Sequence, residues 1–238
     1  MRLPPLTRAT LIHRYKRFLA DVILPDGTQV TAHCPNTGSM KTCWREGAPV
    51  QLSHSDDPKR KLAWTLERVD MGAGWVGIHT GRTNTVIAEG IAAGAIPELA
   101  GYGALKREAT VDLPGHPRSR LDLLLTEGDR PDAYVEVKNT TLYDEAAGGI
   151  LFPDAVTTRG TKHLLALAAL VKQGKRGVIL YAVNRPEGAF FAPAATIDPV
   201  YAQTLKQVMN QGVEAIAVRI EHFEQGMRVV GRIPVRVE

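Results

Sequence analysis

Turn residues cut the first third of the chain into pieces too short for anything but strands. "YKRFLADVIL" runs into Pro25-Asp26-Gly27, "TQVTAHC" into Pro35-Asn36-Thr37-Gly38, and "APVQLSHS" into "DDPKR". "KLAWTLERVDM" then meets Gly72-Ala73-Gly74, after which "WVGIHT" alternates once more. Proline presets φ and glycine supplies positive φ, so each cluster can reverse the chain. Five short strands in succession predict a small β-barrel of the OB type over residues 1–80.

Past residue 80 the pattern changes. "TVIAEGIAAGAI" reads as a short helix with Asn84 as its N-cap and Pro97 beyond its end. "ALKREATVDL" reads as a strand, and "SRLDLLLTE" and "DAYVEVKN", joined by "GDRP", as an antiparallel hairpin. Leu164, Leu167, Ala168 and Val171 recur at helical spacing before Gly174. "RGVILYAV" is a buried strand, "PVYAQTLKQVMNQG" a helix and "VEAIAVRI" another strand. The predicted class is mixed α/β. Residues 81–238 form a second domain in the order helix, three strands, helix, strand, helix, strand.

Charge separates the two parts further. Residues 1–80 hold 11 Lys or Arg against 7 Asp or Glu, whereas residues 81–238 hold 18 of each, so the net +4 lies entirely in the barrel. Two clusters, Arg14, Lys16, Arg17 and Lys59, Arg60, Lys61, are of the kind a phosphate backbone attracts. The longest strongly apolar run, "LLALAALV", is far below the ~18 residues that span a bilayer, and two cysteines make no disulfide framework. A cytoplasmic protein that does not enter membranes is expected.

Three motif matches carry little. Gly72 to Gly77 fits G-x-G-x-x-G, but a strand-like alternation follows where dinucleotide binding needs a helix N-terminus. His33, Cys34, Cys43 and His54 lack the close C-x-x-C pairing of structural zinc sites. Asn139-Thr140-Thr141 is a glycosylation sequon without an export signal.

The informative stretch is "YVEVKNTTL". Val135 and Val137 fall on one face of a strand, and Glu136 and Lys138 on the other. Asp122, between Leu121 and Leu123 on the preceding strand, has the same habit of a charge turned from an apolar face. Pairing the two strands brings Asp122 and Glu136 together with Lys138 on the same side. Two carboxylates suit a hard cation such as Mg²⁺ (or Mn²⁺), which takes oxygen ligands and completes its shell with water and phosphate oxygens. A neighbouring lysine can position a water or offset developing charge. The competing reading is a cross-strand salt bridge on a solvated face.

The spacing Asp122-x(13)-Glu136-x-Lys138 resembles the PD-(D/E)XK nuclease superfamily. More narrowly, "RYKRFLADV", "TAHCPNTGSM", "SDDPKRKL", "ELAGYGALKREA", "SRLDLLL", "YVEVKNTTL", "FPDAVTTRGTKHL" and "IDPVYAQTL" resemble the bacterial sugar fermentation stimulation protein A family. That resemblance implies an N-terminal OB-like domain, a C-terminal nuclease-like αβββαβ domain, DNA binding and a link to regulation of sugar (maltose) metabolism genes. It assigns Asp122 and Glu136 as metal-binding acids and Lys138 as catalytic lysine. It also makes Glu89, on the first helix, a candidate further acid, with Glu108 a weaker contender. The helix after the motif often carries a glutamine or basic residue in such proteins. This chain has Thr161, Lys162 and His163 there, which makes Lys162 a candidate nucleic-acid contact. The expected function is a Mg²⁺-dependent phosphodiesterase acting on nucleic acid, DNA above all. The alternative is a DNA-binding regulator that kept the nuclease scaffold without cutting.

Overall fold

The structure, a computed structural model, describes residues 1–115 and 118–237. The first part is a barrel of β1 (Leu6–Tyr15), β2 (Leu19–Ile23), β3 (Gln29–His33), β4 (Pro49–His54) and β5 (Trp64–Asp70), with β6 (Trp75–Gly77) added beside β5. The strand order is β3-β2-β1-β4-β5-β6, and β3 pairs back to β5 at His33 and Thr65, which closes the barrel in the OB manner. Leu11, Val22, Val50, Leu52 and Leu66 fill its interior.

The predicted first strand, "YKRFLADVIL", is in fact a turn followed by β2, and β1 lies before it. Lys16 and Arg17 make that turn in the left-handed region, at φ 48° and 65°. No glycine or proline marks the reversal, so the usual signal for a turn is absent.

The second part carries α1 (Thr80–Ala92), β7 (Tyr102–Val111), β8 (Ser119–Gly128), β9 (Ala133–Thr140), β10 (Leu142–Asp144), β11 (Gly149–Phe152), α2 (Thr158–Lys172), β12 (Arg176–Val183), β13 (Phe190–Pro193), α3 (Pro199–Asn210), β14 (Glu214–Phe223) and β15 (Gly226–Ile233). Its main sheet has the order β15-β14-β12-β9-β8-β7, with β9, β12 and β14 parallel and the outer pairs antiparallel. Val86, Ile87 and Ile91 of α1 pack with Val135, Val137 and Leu180 on one face. Leu164 and Leu167 of α2 and Tyr201 and Leu205 of α3 pack with Ile179 and Tyr181 on the other. Strands buried on both faces explain the continuous apolar run of β12. The short sheet β10-β11-β13 and strand β15 are additions to the predicted order. No helix among the described residues is long and apolar enough to cross a membrane.

Helix starts differ in how they are held. Asn84 does not cap α1: the helix begins at Thr80, with His79 at the N-cap making no side-chain cap, and Asn84 is turned to another use. The Thr157 hydroxyl caps α2 by accepting from Gly160 N at 3.1 Å. Asp198 caps α3, accepting from Tyr201 N at 2.9 Å with one oxygen and from Thr157 N at 2.8 Å with the other. It is buried, so removing it strands two amide donors away from water. Asp198→Ala should therefore cost about 2–3 kcal/mol, read as a lower urea midpoint at unchanged slope. A loss below ~0.5 kcal/mol would mean that the cap does not hold the two helices.

The two parts meet over a polar seam. Glu67 of β5 is buried, accepts from Ser53 at 2.8 Å and pairs with Arg82 of α1 at 2.8 Å. Arg68 reaches across to the carbonyls of Phe223 and Glu224. The loop after β3 holds the second part at three places: Pro35 O accepts from Thr80 at the start of α1, Ser39 donates to Asp154 just after β11, and Thr42 donates to Thr141 O just after β9. Bonds of this kind leave the barrel no freedom to swing without exposing buried polar groups.

Candidate active site

Strands β8 and β9 pair at Leu125–Ala133, Leu124–Tyr134 and Leu123–Val135, and then part. Asp122 sits in the fork. One of its carboxylate oxygens takes the place of the missing ladder partner, accepting from Val137 N at 2.7 Å, and the other accepts from the Asn84 side chain at 2.8 Å. Leu121 belongs to the core under α2 and Leu123 to the core under α1, so β8 turns between them and carries Asp122 into the gap.

Glu136 follows one residue past the fork, in register with Ile179 of β12 on the face that α2 covers. It is only 3% exposed. Its Oε1 accepts from Lys138 Nζ at 2.6 Å and is also hydrogen-bonded to His163 Nδ1 of α2. Its Oε2 is buried with no partner among the described residues. A salt bridge on a solvated face would leave both oxygens to water, and that reading is excluded by the burial. Lys138, 14% exposed, holds its ammonium against Glu136 and keeps two further N–H donors.

The charges oppose one another. Burial, and then the negative charge of Glu136, push the Asp122 carboxyl above its usual range. Burial pushes Glu136 the same way, but the bond to His163 and the charge of Lys138 outweigh it, and its carboxyl lies below the usual range. Glu136 therefore stays ionised beside an acid that its charge disfavours. An unpartnered buried carboxylate oxygen next to a second carboxylate is a donor set that fits a hard cation. Among the described residues no cluster of three or more His, Cys, Asp or Glu converges as a complete protein-only metal site. The remaining positions in such a shell would belong to water and substrate.

Glu89 makes its ion pair elsewhere, with the Met1 amino group at 2.8 Å, and its side chain is 53% exposed. Asn84, five residues earlier and about 1.4 turns away, is the α1 side chain that touches Asp122. Glu108 pairs with Arg120 at 3.4 Å on the exposed edge strand. Lys162 is exposed on α2, while His163 beside it is buried. His163 lies on the stripe of Leu164 and Leu167, and a polar residue on an apolar stripe was its signal in the sequence. Asn139 has no such signal; its Oδ1 accepts from Thr83 and Asn184, pinning the residue after Lys138 to α1 and to the end of β12.

The basic clusters sit apart from each other. Lys16 and Arg17 turn at the Tyr15 end of β1, and the Lys59–Lys61 loop follows His54, at the Leu6 end of β1 by the β1–β4 register. A ligand touching both has to run the length of β1, about 30 Å at 3.3 Å per residue. Lys16, Arg17, Lys59 and Lys61 are exposed. Arg14 is committed to its own chain, donating to the carbonyls of Arg17, Asn36 and Gly38, and Arg60 donates to Thr65 at 2.8 Å. Cys34 and Cys43 are buried free thiols, and burial pushes Cys43 up to about 12, so neither offers a thiolate to a metal.

An OB barrel joined to a six-stranded αβ sheet, with two acids and a lysine where β8 and β9 part, defines a PD-(D/E)XK nuclease-like protein with a barrel at its front. Known proteins agree with that class. Residues 12–78 match the family model described as the SfsA N-terminal OB domain, and residues 81–226 the sugar fermentation stimulation protein RE domain. A sugar fermentation stimulation protein homolog of Acidithiobacillus ferrooxidans is 50% identical over 92% of this chain and 92% of its own. One from Geobacter sulfurreducens is 50% identical over 97% and 96%. The solved structure of Pyrococcus furiosus SfsA in complex with Ca²⁺ superposes with a TM-score of 0.86 at 25% identity, covering 100% of this chain and 98% of that one. The chain belongs to the sugar fermentation stimulation protein family.

Proposed function

We propose that this protein is a nucleic-acid-binding phosphodiesterase of the cytoplasm that cuts DNA with Mg²⁺ or Mn²⁺ held by Asp122 and Glu136. The observation that carries the reading is the buried Oε2 of Glu136, unpartnered among the described residues, beside an Asp122 carboxyl that burial first, and then the Glu136 charge, push above its usual range. A stable fold gains nothing from leaving that oxygen bare, since an unsatisfied buried charged group costs at least ~1–3 kcal/mol. The Ca²⁺ in the Pyrococcus furiosus relative supports a divalent-cation site in this fold. The two free thiols accord with a reducing compartment.

When bound, the cation supplies Lewis-acid stabilisation of phosphate charge and a water of lowered pKa. The chain's own residues set the geometry. Val137 N and Asn84 fix the Asp122 carboxylate, while His163 and Lys138 occupy one oxygen of Glu136, so that its other oxygen would be the one available to hold a cation. The Lys138 ammonium keeps donors for a water or a phosphate oxygen and offsets charge as it accumulates on the phosphoryl group.

Affinity for nucleic acid is assigned to the exposed bases of the barrel. Neutralising Lys59, Arg60 and Lys61 together should weaken binding equally across sequences and reduce the slope of log affinity against log salt, by roughly 0.9 for each duplex phosphate that is no longer neutralised. An unchanged slope would show that this loop does not touch the backbone. The reading as a whole is tested by incubating purified protein with single-stranded, duplex and branched DNA and with RNA, in Mg²⁺, Mn²⁺ or EDTA. Metal-dependent cleavage of at least one DNA form is expected. Tight binding with no cleavage of any form would instead favour a regulator on a nuclease scaffold.

A further inference from the structure

A groove of about 540 Å³ lies on the far side of α3 from the acids, between that helix and the short sheet β10-β11-β13. Its volume is within the ~300–1,000 Å³ usual for small-ligand sites. Eight of the eleven residues lining it, among them Leu151, Phe190 and Ala202, are apolar, and the other three are Gln203, Lys206 and Arg236. Among the described residues no carboxylate lines it. The Arg236 guanidinium lies 3.9 Å from the centre of the Phe190 ring, which holds a cation over an aromatic face. Among the described residues neither Lys206 nor Arg236 has an ion-pair partner, whereas many other arginines here are paired or bonded to carbonyls.

That composition selects a ligand chemistry. A sugar brings several hydroxyls, each needing a partner that eight apolar residues do not supply. A nucleic-acid strand needs a run of cations rather than two at one rim. An organic anion with an apolar body matches both parts, with its body on Leu151, Phe190 and Ala202 and its charge between Lys206 and Arg236. We propose that this groove binds small organic anions with an aliphatic or aromatic body. The site is separate from the acids, because the buried face of α3 carries Tyr201, hydrogen-bonded at 2.7 Å to Tyr181 of β12, itself in register with Lys138.

The test uses 8-anilino-1-naphthalenesulfonate as the anionic probe, N-phenyl-1-naphthylamine as its uncharged counterpart and octanoate as competitor, titrated against the folded full chain. Wild type should show one saturable sulfonate site that octanoate displaces. Ala202→Phe, which fills the groove, should abolish that binding while thermal unfolding stays cooperative. The Lys206→Ala/Arg236→Ala double variant should weaken sulfonate binding roughly ten- to a hundred-fold, because each cation lost removes a charge-assisted bond, and leave the naphthylamine nearly unaffected. The proposal is overturned if wild type binds no sulfonate or binds it without saturation. Ala202→Phe binding as well as wild type would overturn it, as would a double variant that loses neither probe selectivity nor affinity.

Discussion

Replacing Lys138 with alanine should leave nucleic-acid binding within a few fold and reduce cleavage by about 10²- to 10³-fold, the loss that follows removal of one preorganised electrostatic group. The ammonium is held 2.6 Å from Glu136 and is largely shielded from solvent, so its charge acts in a medium where screening is weak. It matters most when the phosphoryl group gathers negative charge, and a group that acts there lowers the barrier without tightening ground-state binding. Single-turnover cleavage beside fluorescence anisotropy separates the two. A lysine that served only to pair Glu136 would behave differently, with lower thermal stability in the variant and cleavage nearly intact.

Glu136→Gln should have a larger effect still, taking cleavage below detection and reducing divalent-cation affinity by more than the ~10²-fold that loss of an outer-shell partner can cause. The amide keeps the shape and can still meet His163 and Lys138, but it replaces a full negative charge with a weak dipole at a buried oxygen that has no partner among the described residues. The metal-free fold should survive. Wild type should gain several degrees of melting temperature on addition of Mn²⁺, because a ligand that binds only the native state stabilises it by mass action, and the variant should gain none. Equal metal-induced shifts in both proteins would place the cation elsewhere.

The alternation of Val135, Glu136, Val137 and Lys138, and the hairpin that brings Asp122 beside them, were legible because strand periodicity and a short connection are local properties of the sequence. The fork was not. It depends on where a ladder stops, and Asp122 marks the place only once Val137 N is seen bonded to it. His163 could have been read from its position on the α2 stripe, whereas the pairing of Glu89 with Met1 joins residues 88 apart and leaves no periodic trace. The short sheet β10-β11-β13 was invisible for two reasons. Its strands are three or four residues long, and β11 pairs in parallel with a segment some forty residues on, Gly149 with Phe190. The separation of the two basic clusters likewise comes from register: Tyr15 opposes Leu19 while Leu6 opposes Ser53, which no composition count reveals.

The most direct measurement is cleavage of end-labelled DNA by wild type and Glu136→Gln, expressed and purified identically, in Mg²⁺ and in EDTA. Cleavage should occur in wild type with Mg²⁺ alone and be absent from the other three reactions. Equal cleavage by the variant, or cleavage that persists in EDTA, would contradict a metal-dependent phosphodiesterase centred on Asp122, Glu136 and Lys138.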